Sequence, residues 1–393
     1  GSSGKSIMPC IPGRCGGGSS FTDAFVYDVR DRSSPVLQKN LSIEGNYAGA
    51  RMIGDYVYLV STKYVFGENP SLPVYRVQGV ERSFLPQEIG YFDVNDENYV
   101  FTSITALSLS DGTARVKTYL TGATGSLFMS ESNLYLTAQR HLSQKEYFER
   151  AVHEMILPLL PAREQGQIGE LIKKGFDREN SERMSEVLRN YSDSLKGEER
   201  AQFDMNLKNQ SESFMLRIQK ELEKTKIFKI SIQGNDILYD GSGEVPGRVL
   251  NQFSMDEFDG KFRIATTTGN TLNGKSLNHL FVLNKELKIV GSVEDLAPGE
   301  QIHSVRFIGK RAYVVTFKKI DPFYVIDLSE EKPSVLGYLK IPGYSDYLHP
   351  YDETHIIGIG KNARGGGENF AWYQGMKVSL FDVSDVEHPF ESA

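Results

Sequence analysis

Cysteine is nearly absent from this chain of 393 residues: the 2 that occur, Cys10 and Cys15, stand close together in a Pro/Gly-rich leader. A disulfide framework for the whole fold is thereby excluded. The pair itself has two readings, a small disulfide loop suited to an oxidising compartment or a free or metal-bound pair. No run of about twenty apolar residues occurs, so no segment reads as a membrane-spanning helix. Basic stripes are missing too. Lys and Arg number 44 against 51 Asp and Glu, a net charge of −7 that argues against a nucleic-acid partner. Neither a Gly-x-Ser-x-Gly elbow nor a Ser/His/Asp pattern is present, and the leading GSSGKS lacks the spacing and preceding strand of a phosphate loop.

What is present points to β-structure. Hydrophobic residues at 39% and charged ones at 24% describe a globular rather than a disordered chain, and 37 Gly, 20 Tyr and 22 Phe fit a turn-rich all-β protein. The stretch Gln301–Gly343 reads as four consecutive strands, IHSVRFI, AYVVTF, FYVIDL and VLGYLKI, separated by Gly309-Lys310 and by a polar turn closed at Pro333. One such meander cannot bury both of its faces, so it must be one copy of a repeat. Other copies follow. Phe25–Ile43 matches its second half, with Pro35 at the place of Pro333; Tyr47–Thr62 matches its first half, with Arg51 at the place of Arg306 and Tyr58 at that of Tyr313. Residues 86–122 supply a third and a fourth strand, YFDV and then ITALSLSDGTARVKTYLTG, and inner and outer pairs continue to Phe390.

This spacing predicts a β-propeller of about five four-stranded antiparallel blades with a leading half unit, because radial repetition protects all but short sheet edges. The half unit and the stop at Ala393 predict a truncated or incomplete ring. From His141 to Thr225 the strand signals cease, and Met184, Val187, Leu188, then Phe203, Leu207, Phe214, Ile218 and Leu222 recur at helical spacing, with Pro158 and Pro161 ending a first helix. The expectation is a helical insertion of about 85 residues between strands two and three of one blade, long enough for a subdomain of its own. The chain then divides into a leader (1–20), a first propeller part (21–140), the insertion (141–225) and a second propeller part (226–393).

The runs GEVPGRVLNQFSMDEFDGKFRIATTTG (Gly243–Gly269), LKIVGSVEDLAPGEQIHSVRFIGKRAYVVTFKKIDPFYVIDLS, IPGYSDYLHPYDETHIIGIGK and YQGMKVSLFDVSDVEHP resemble the secreted β-propeller domain family of archaea and bacteria, itself distantly similar to WD-type propellers. The resemblance covers nearly all of the chain after the leader. It implies a propeller with a helical insertion, an exported or membrane-anchored address, and no defining chemistry.

Candidate chemistry is sparse. An Asp closing each third strand recurs with a second acid close behind: Asp28 and Asp31, Asp93 and Asp96, Asp327 and Glu330, Asp382 and Asp385. Such pairs hold Ca²⁺ through hard oxygens or form Asx turns to the backbone; their repetition with the blades favours turns. His349 and His355, with Asp346 or Asp352, are candidate metal ligands on a weak spacing. Arg51 and Arg306 share an innermost position, and Glu244, Arg248, Asp256, Glu257 and Arg263 cluster around the first strand of the third unit. Propeller ligands bind where blades converge on the axis, so Arg51, Glu244, Arg248, Asp256, Arg306, Asp346 and His349 form the candidate site, against the reading that they are inter-blade ion pairs. Trp372 and Tyr373, in what reads as a Gly-rich loop, offer a stacking surface. The expected function is an extracytoplasmic binding or scaffold module for a protein or glycan partner, without a cofactor beyond Ca²⁺ at the blade turns. The alternatives are a hydrolase or lyase using Glu244, Arg248, Asp256, Asp346 and His349, and a structural envelope component.

Overall fold

Short alternating apolar runs punctuated by Gly, Asp and Ser become antiparallel strands throughout the computed structural model, which describes residues 20–66, 70–94, 98–139, 142–269, 275–317, 321–341, 343–365 and 371–393. Two compact units result, Gly1–Phe92 with Asn98–Thr121 and Gln233–Ile237, and Asp93–Glu97 with Gly122–Ile232 and Leu238–Ala393.

In the first unit, β1 (Phe21–Asp28) and β2 (Val36–Glu44) pair, β3 (Asn46–Ile53) and β4 (Tyr56–Tyr64) begin a second sheet, and β5 (Val74–Val77) and β6 (Val80–Ser83) form a hairpin. Two short steps follow, β7 (Gly90–Tyr91) and the pair β8 (Val100–Ser108) and β9 (Ala114–Thr121). The sheets run β1-β2-β5-β6 and β3-β4-β8-β9-β7. The expected leading half unit is thus a full four-stranded sheet, completed by the β5–β6 hairpin. That hairpin turns at Gln78 and Gly79, whose φ values of 52° and 79° are those of a tight two-residue reversal. A second expectation is corrected as well: YFDV is not a third strand but yields only β7, parallel to β9. The third strand is β8, buried along its whole length. The expected fourth strand, from Ile104 on, joins the second half of β8 to β9, and Thr102–Thr121 (2.9 Å) and Ser103–Thr118 (2.8 Å) hydroxyl pairs satisfy part of the buried polar content of β8.

The second unit holds four sheets in sequence order. They are β10 (Thr124–Met129), β11 (Asn133–Gln139), β12 (Lys224–Gln233) and β13 (Asp236–Pro246); then β14 (Met255–Phe258), β15 (Lys261–Thr268), β16 (Leu277–Leu283) and β17 (Ile289–Leu296). The third comprises β18 (Gln301–Ile308), β19 (Arg311–Phe317), β20 (Asp321–Asp327) and β21 (Ser334–Ile341), the four strands read first in the sequence. The last comprises β22 (Tyr344–Pro350), β23 (His355–Gly365), β24 (Ala371–Asp382) and β25 (Phe390–Glu391).

Each core cluster of these four sheets spans two successive sheets. Tyr135 and Ile227 pack with Phe262 and Phe281; Leu280 and Val282 with Val305 and Val314; Tyr313 and Phe323 with Leu348 and Phe381. Ring pairs Tyr135–Phe262 at 4.1 Å and Phe323–Phe381 at 4.7 Å add directed contact to the apolar burial that drives the stacking. The spacing between sheets is set by three glycines inside fourth strands. A Cβ on Gly243 would lie 2.3 Å from Leu287 O, on Gly291 1.7 Å from Glu331 O, and on Gly337 2.5 Å from Val386 O. In every case the obstacle is backbone in the next sheet's turn between its third and fourth strands, so only glycine admits that approach.

Between β11 and β12 the described residues form four α-helices, α1 (Gln144–Ala151), α2 (Ala162–Lys174), α3 (Arg178–Ser194) and α4 (Gly197–Leu222). Ser143 and Asp177 cap α1 and α3 by accepting from Glu146 N (2.8 Å) and Asn180 N (2.7 Å). The apolar stripes read from the sequence meet: Met184 and Phe203 bury with Val152, Leu160 and Ile168, while Phe214 and Ile218 bury with Ala151. Arg150 ties α1 to α4 through Glu221 at 2.6 Å.

Candidate functional site

The first strand of a sheet carries its neighbours on one side only, and its irregularities decide which side chains turn out of the pleat. Register slips near the start of β3, β10, β18 and β22 insert an extra residue. A bulge re-aims a side chain. The extra residues of β18 and β22 are His303 and Asp346, and their Nδ1 and Oδ1 atoms stand 3.4 Å apart. His303 packs against Tyr344 (4.6 Å between ring centroids) and Phe317 (5.4 Å). Burial pulls its pKa down, opposed by the Asp346 carboxylate.

Beside these strands lies a cleft of about 590 Å³, bordered by Thr124, Gly125 and Ser126 of β10, Thr137 and Gln139 of β11, Thr225 of β12, the segment Arg248–Leu250, Thr267 of β15, and Gln301 and Ile302 of β18. Its walls are braced. Thr137 Oγ1 takes the Ser126 N–H (2.9 Å) and donates to Ser126 O (3.0 Å); Arg248 N and Thr267 N donate to each other's carbonyls at 2.8 and 3.0 Å. Thr225 Oγ1 donates to Gly247 O (2.6 Å) and Arg248 Nη2 to Gly269 O (2.8 Å). The insertion reaches the same place, since Glu223, which follows α4, accepts Gly247 N at its carbonyl and Gly269 N at Oε2 (3.1 Å). Gln139, which ends β11, and Thr225, the second residue of β12, are direct strand partners across the mouth of the insertion.

Chemically the cleft offers hydroxyls, amides and one guanidinium. Among the described residues that border it there is no carboxylate, imidazole or thiol, so it can bind and orient but has no general acid or base.

The profile of the beta propeller domain family matches residues 5–393. The chain belongs to the beta-propeller domain family. Among curated relatives, an uncharacterized protein of Methanocaldococcus jannaschii is 32% identical over 376 residues, covering 93% of this chain and 57% of the relative. An uncharacterized protein of Archaeoglobus fulgidus is 32% identical over 358 residues, covering 88% and 54%. The chain therefore spans little more than half the length of these relatives. Solved structures similar to it include the β-propeller domain of the Trilobed protease from Pyrococcus furiosus (TM-score 0.37, 8% identity, covering 88% of this chain and 69% of that one). Another is cobalt-substituted Synechocystis ACO (TM-score 0.35, 9% identity, covering 80% and 56%).

The remaining sequence candidates of this beta-propeller separate. Arg51 pairs across its sheet with Tyr58, Arg306 with Tyr313, and Asp256 takes the same place opposite Arg263. Arg263 is buried: its Nε donates to Asp256 at 2.9 Å, its Nη1 to Gly309 O of the next sheet at 2.6 Å, and Phe258 and Phe307 flank it. Desolvation draws its pKa down against the pull of Asp256. Arg306 lies over the Phe253 ring. Glu257 accepts from Asn133 (2.9 Å), and Glu244 sits on an outer strand with Lys224 at 2.5 Å. Of the candidate set only Arg248 borders the cleft.

His349 and His355 are not brought together: His349 meets the Tyr347 hydroxyl (3.2 Å), and His355 meets Asp352 (3.0 Å) and Asp382 (3.7 Å). Among the described residues no group of three or more His, Cys, Asp or Glu is placed to hold a metal. Of the four acids expected at strand ends, Asp28, Asp327 and Asp382 make Asx turns, accepting from Arg30 N, Ser329 N and Ser384 N at 2.9–3.0 Å, whereas Asp93 follows the two-residue β7 and closes no third strand. Asp31 and Asp385 repeat the device, to Ser33 N and Glu387 N. Asp96, Cys10 and Cys15 lie outside the described residues. Trp372, read as part of a loop, is instead in β24 opposite Arg364. His303 was missed because it sits in a regular-looking strand; aligning β18 with β22 on their bulges would have set it beside Asp346.

Proposed function

We propose that this beta-propeller is an extracytoplasmic binding module whose ligand site is the cleft at the root of the helical insertion. One observation carries the reading: a braced cleft lined by neutral hydrogen-bonding groups and Arg248, framed by both ends of the insertion. A hydrolase or lyase needs an acid and a base that converge on one substrate. Here Glu244 is engaged by Lys224, Asp256 by Arg263 and Asp346 by His303, on different strands. The extracytoplasmic address rests on the resemblance to exported propellers, and digestion by protease added to intact cells tests it.

Gly125 supplies the test of the site, because a Cβ there meets only Thr137 Oγ1 at 3.5 Å and Thr137 O at 3.7 Å. Gly125→Trp should fill the cleft without breaking the sheet. Peptide and oligosaccharide arrays probed with the intact chain and with this variant should show binding that the variant loses, with its circular dichroism unchanged. Equal binding by both proteins, or none by either, rejects the reading.

A further inference from the structure

We infer that the cleft receives the C-terminal carboxylate of an extended peptide laid along β10; the inference rests on the cleft being the ligand site. Three observations point there. Strand β10 is terminal in its sheet, with β11 on one side and, among the described residues, no strand on the other, so its edge is a template for a further strand. Thr124, Gly125 and Ser126 of that edge border the cleft, with Val249, Leu250 and Ile302 as apolar contacts for alternate side chains. Arg248 stands exposed at the cleft, spends Nη2 on a backbone carbonyl, and has no carboxylate partner among the described residues. An exposed guanidinium suits a carboxylate in two-pronged geometry. A saccharide fits less well, because among the described residues no aromatic ring borders the cleft for a sugar face to stack on. The volume is also apt, within the roughly 300–1,000 Å³ that bound small molecules and chain ends fill.

Two random hexapeptide pools labelled with fluorescein at the N-terminus test this, one with a free C-terminal carboxylate and one amidated, read by fluorescence polarisation. Side-chain acids are equally frequent in both, so only the terminal group differs. The free-acid pool should bind at least tenfold more tightly, R248Q should erase that preference, and Gly125→Trp should abolish binding of both. Equal binding of the two pools, still lost in Gly125→Trp, overturns the carboxylate inference and leaves the cleft reading standing. Binding of an oligogalacturonate that needs Arg248, with neither pool bound, overturns the peptide assignment in favour of an acidic glycan. Absence of binding by pools and oligogalacturonate alike overturns the inference outright.

Discussion

His279 shows how much a single buried side chain does in this protein. Only 5% exposed, its Nδ1 faces the Asp295 N–H at 3.3 Å and its Nε2 the Thr268 hydroxyl at 2.8 Å. An acceptor role for Nδ1 requires the neutral ring, and burial lowers its pKa from 6.5 against the opposing pull of Asp295 and Glu294. The unfolded chain therefore takes up a proton at higher pH than the folded one. Stability from this group is complete above the unfolded value and declines as pH falls through it, until the lower folded value is passed. The urea midpoint of the chain should drop as pH is lowered from 7 to 5, with a slope of up to about 1.4 kcal/mol per pH unit per such histidine. His303, also lowered by burial, adds to it. His279→Gln should flatten that slope; identical slopes in both proteins reject the argument. Neither histidine was legible as special, because burial of a strand residue on both sides depends on the sheets stacked against it.

Strands were legible because a period of two is written locally, and the four strands from Gln301 to Ile341 lie where alternation and turn residues place them. β8 was legible only in its second half and ran together with β9, since a strand buried on both faces by Thr and Ser as well as Ile and Leu shows no alternation to set its bounds. Glycine was half legible. Gly309 marks a turn with positive φ, whereas Gly291 and Gly337 stand inside strands and answer to the neighbouring sheet. Gly291→Ala would drive a methyl into the Glu331 carbonyl, backbone that cannot swing aside. It should destabilise the chain by about 1–3 kcal/mol, the range for overpacking a well-filled interior, read from the urea midpoint. Gly125→Ala is its control, since its φ is not positive and a Cβ there meets nothing nearer than Thr137 Oγ1 at 3.5 Å. A loss at Gly291 no greater than that at Gly125 contradicts the close-approach account.

For the molecule as a whole, the helical insertion is the feature most open to experiment. It buries its own clusters around Phe203 and Phe214, and its ends are joined by the direct pairing of Gln139 with Thr225. Replacing residues 141–223 by a short Asn-Gly turn should keep the strand spectrum and a cooperative urea transition. Affinity at the cleft should fall about tenfold or more, because Glu223 no longer holds Gly247 and Gly269. Failure of that protein to fold would show that the helices belong to the sheet core instead. Strand periodicity, turn residues and helical stripes by themselves determined that this chain repeats four-stranded sheets and interrupts one of them with helices, because those signals reside in residues a few positions apart. The tertiary structure alone decided that His303 faces Asp346, that Arg263 staples two sheets, and that Thr124, Arg248 and Gln301 border one cleft. Those side chains are far apart in the chain, and only the bulges and the stacking of sheet on sheet bring them together.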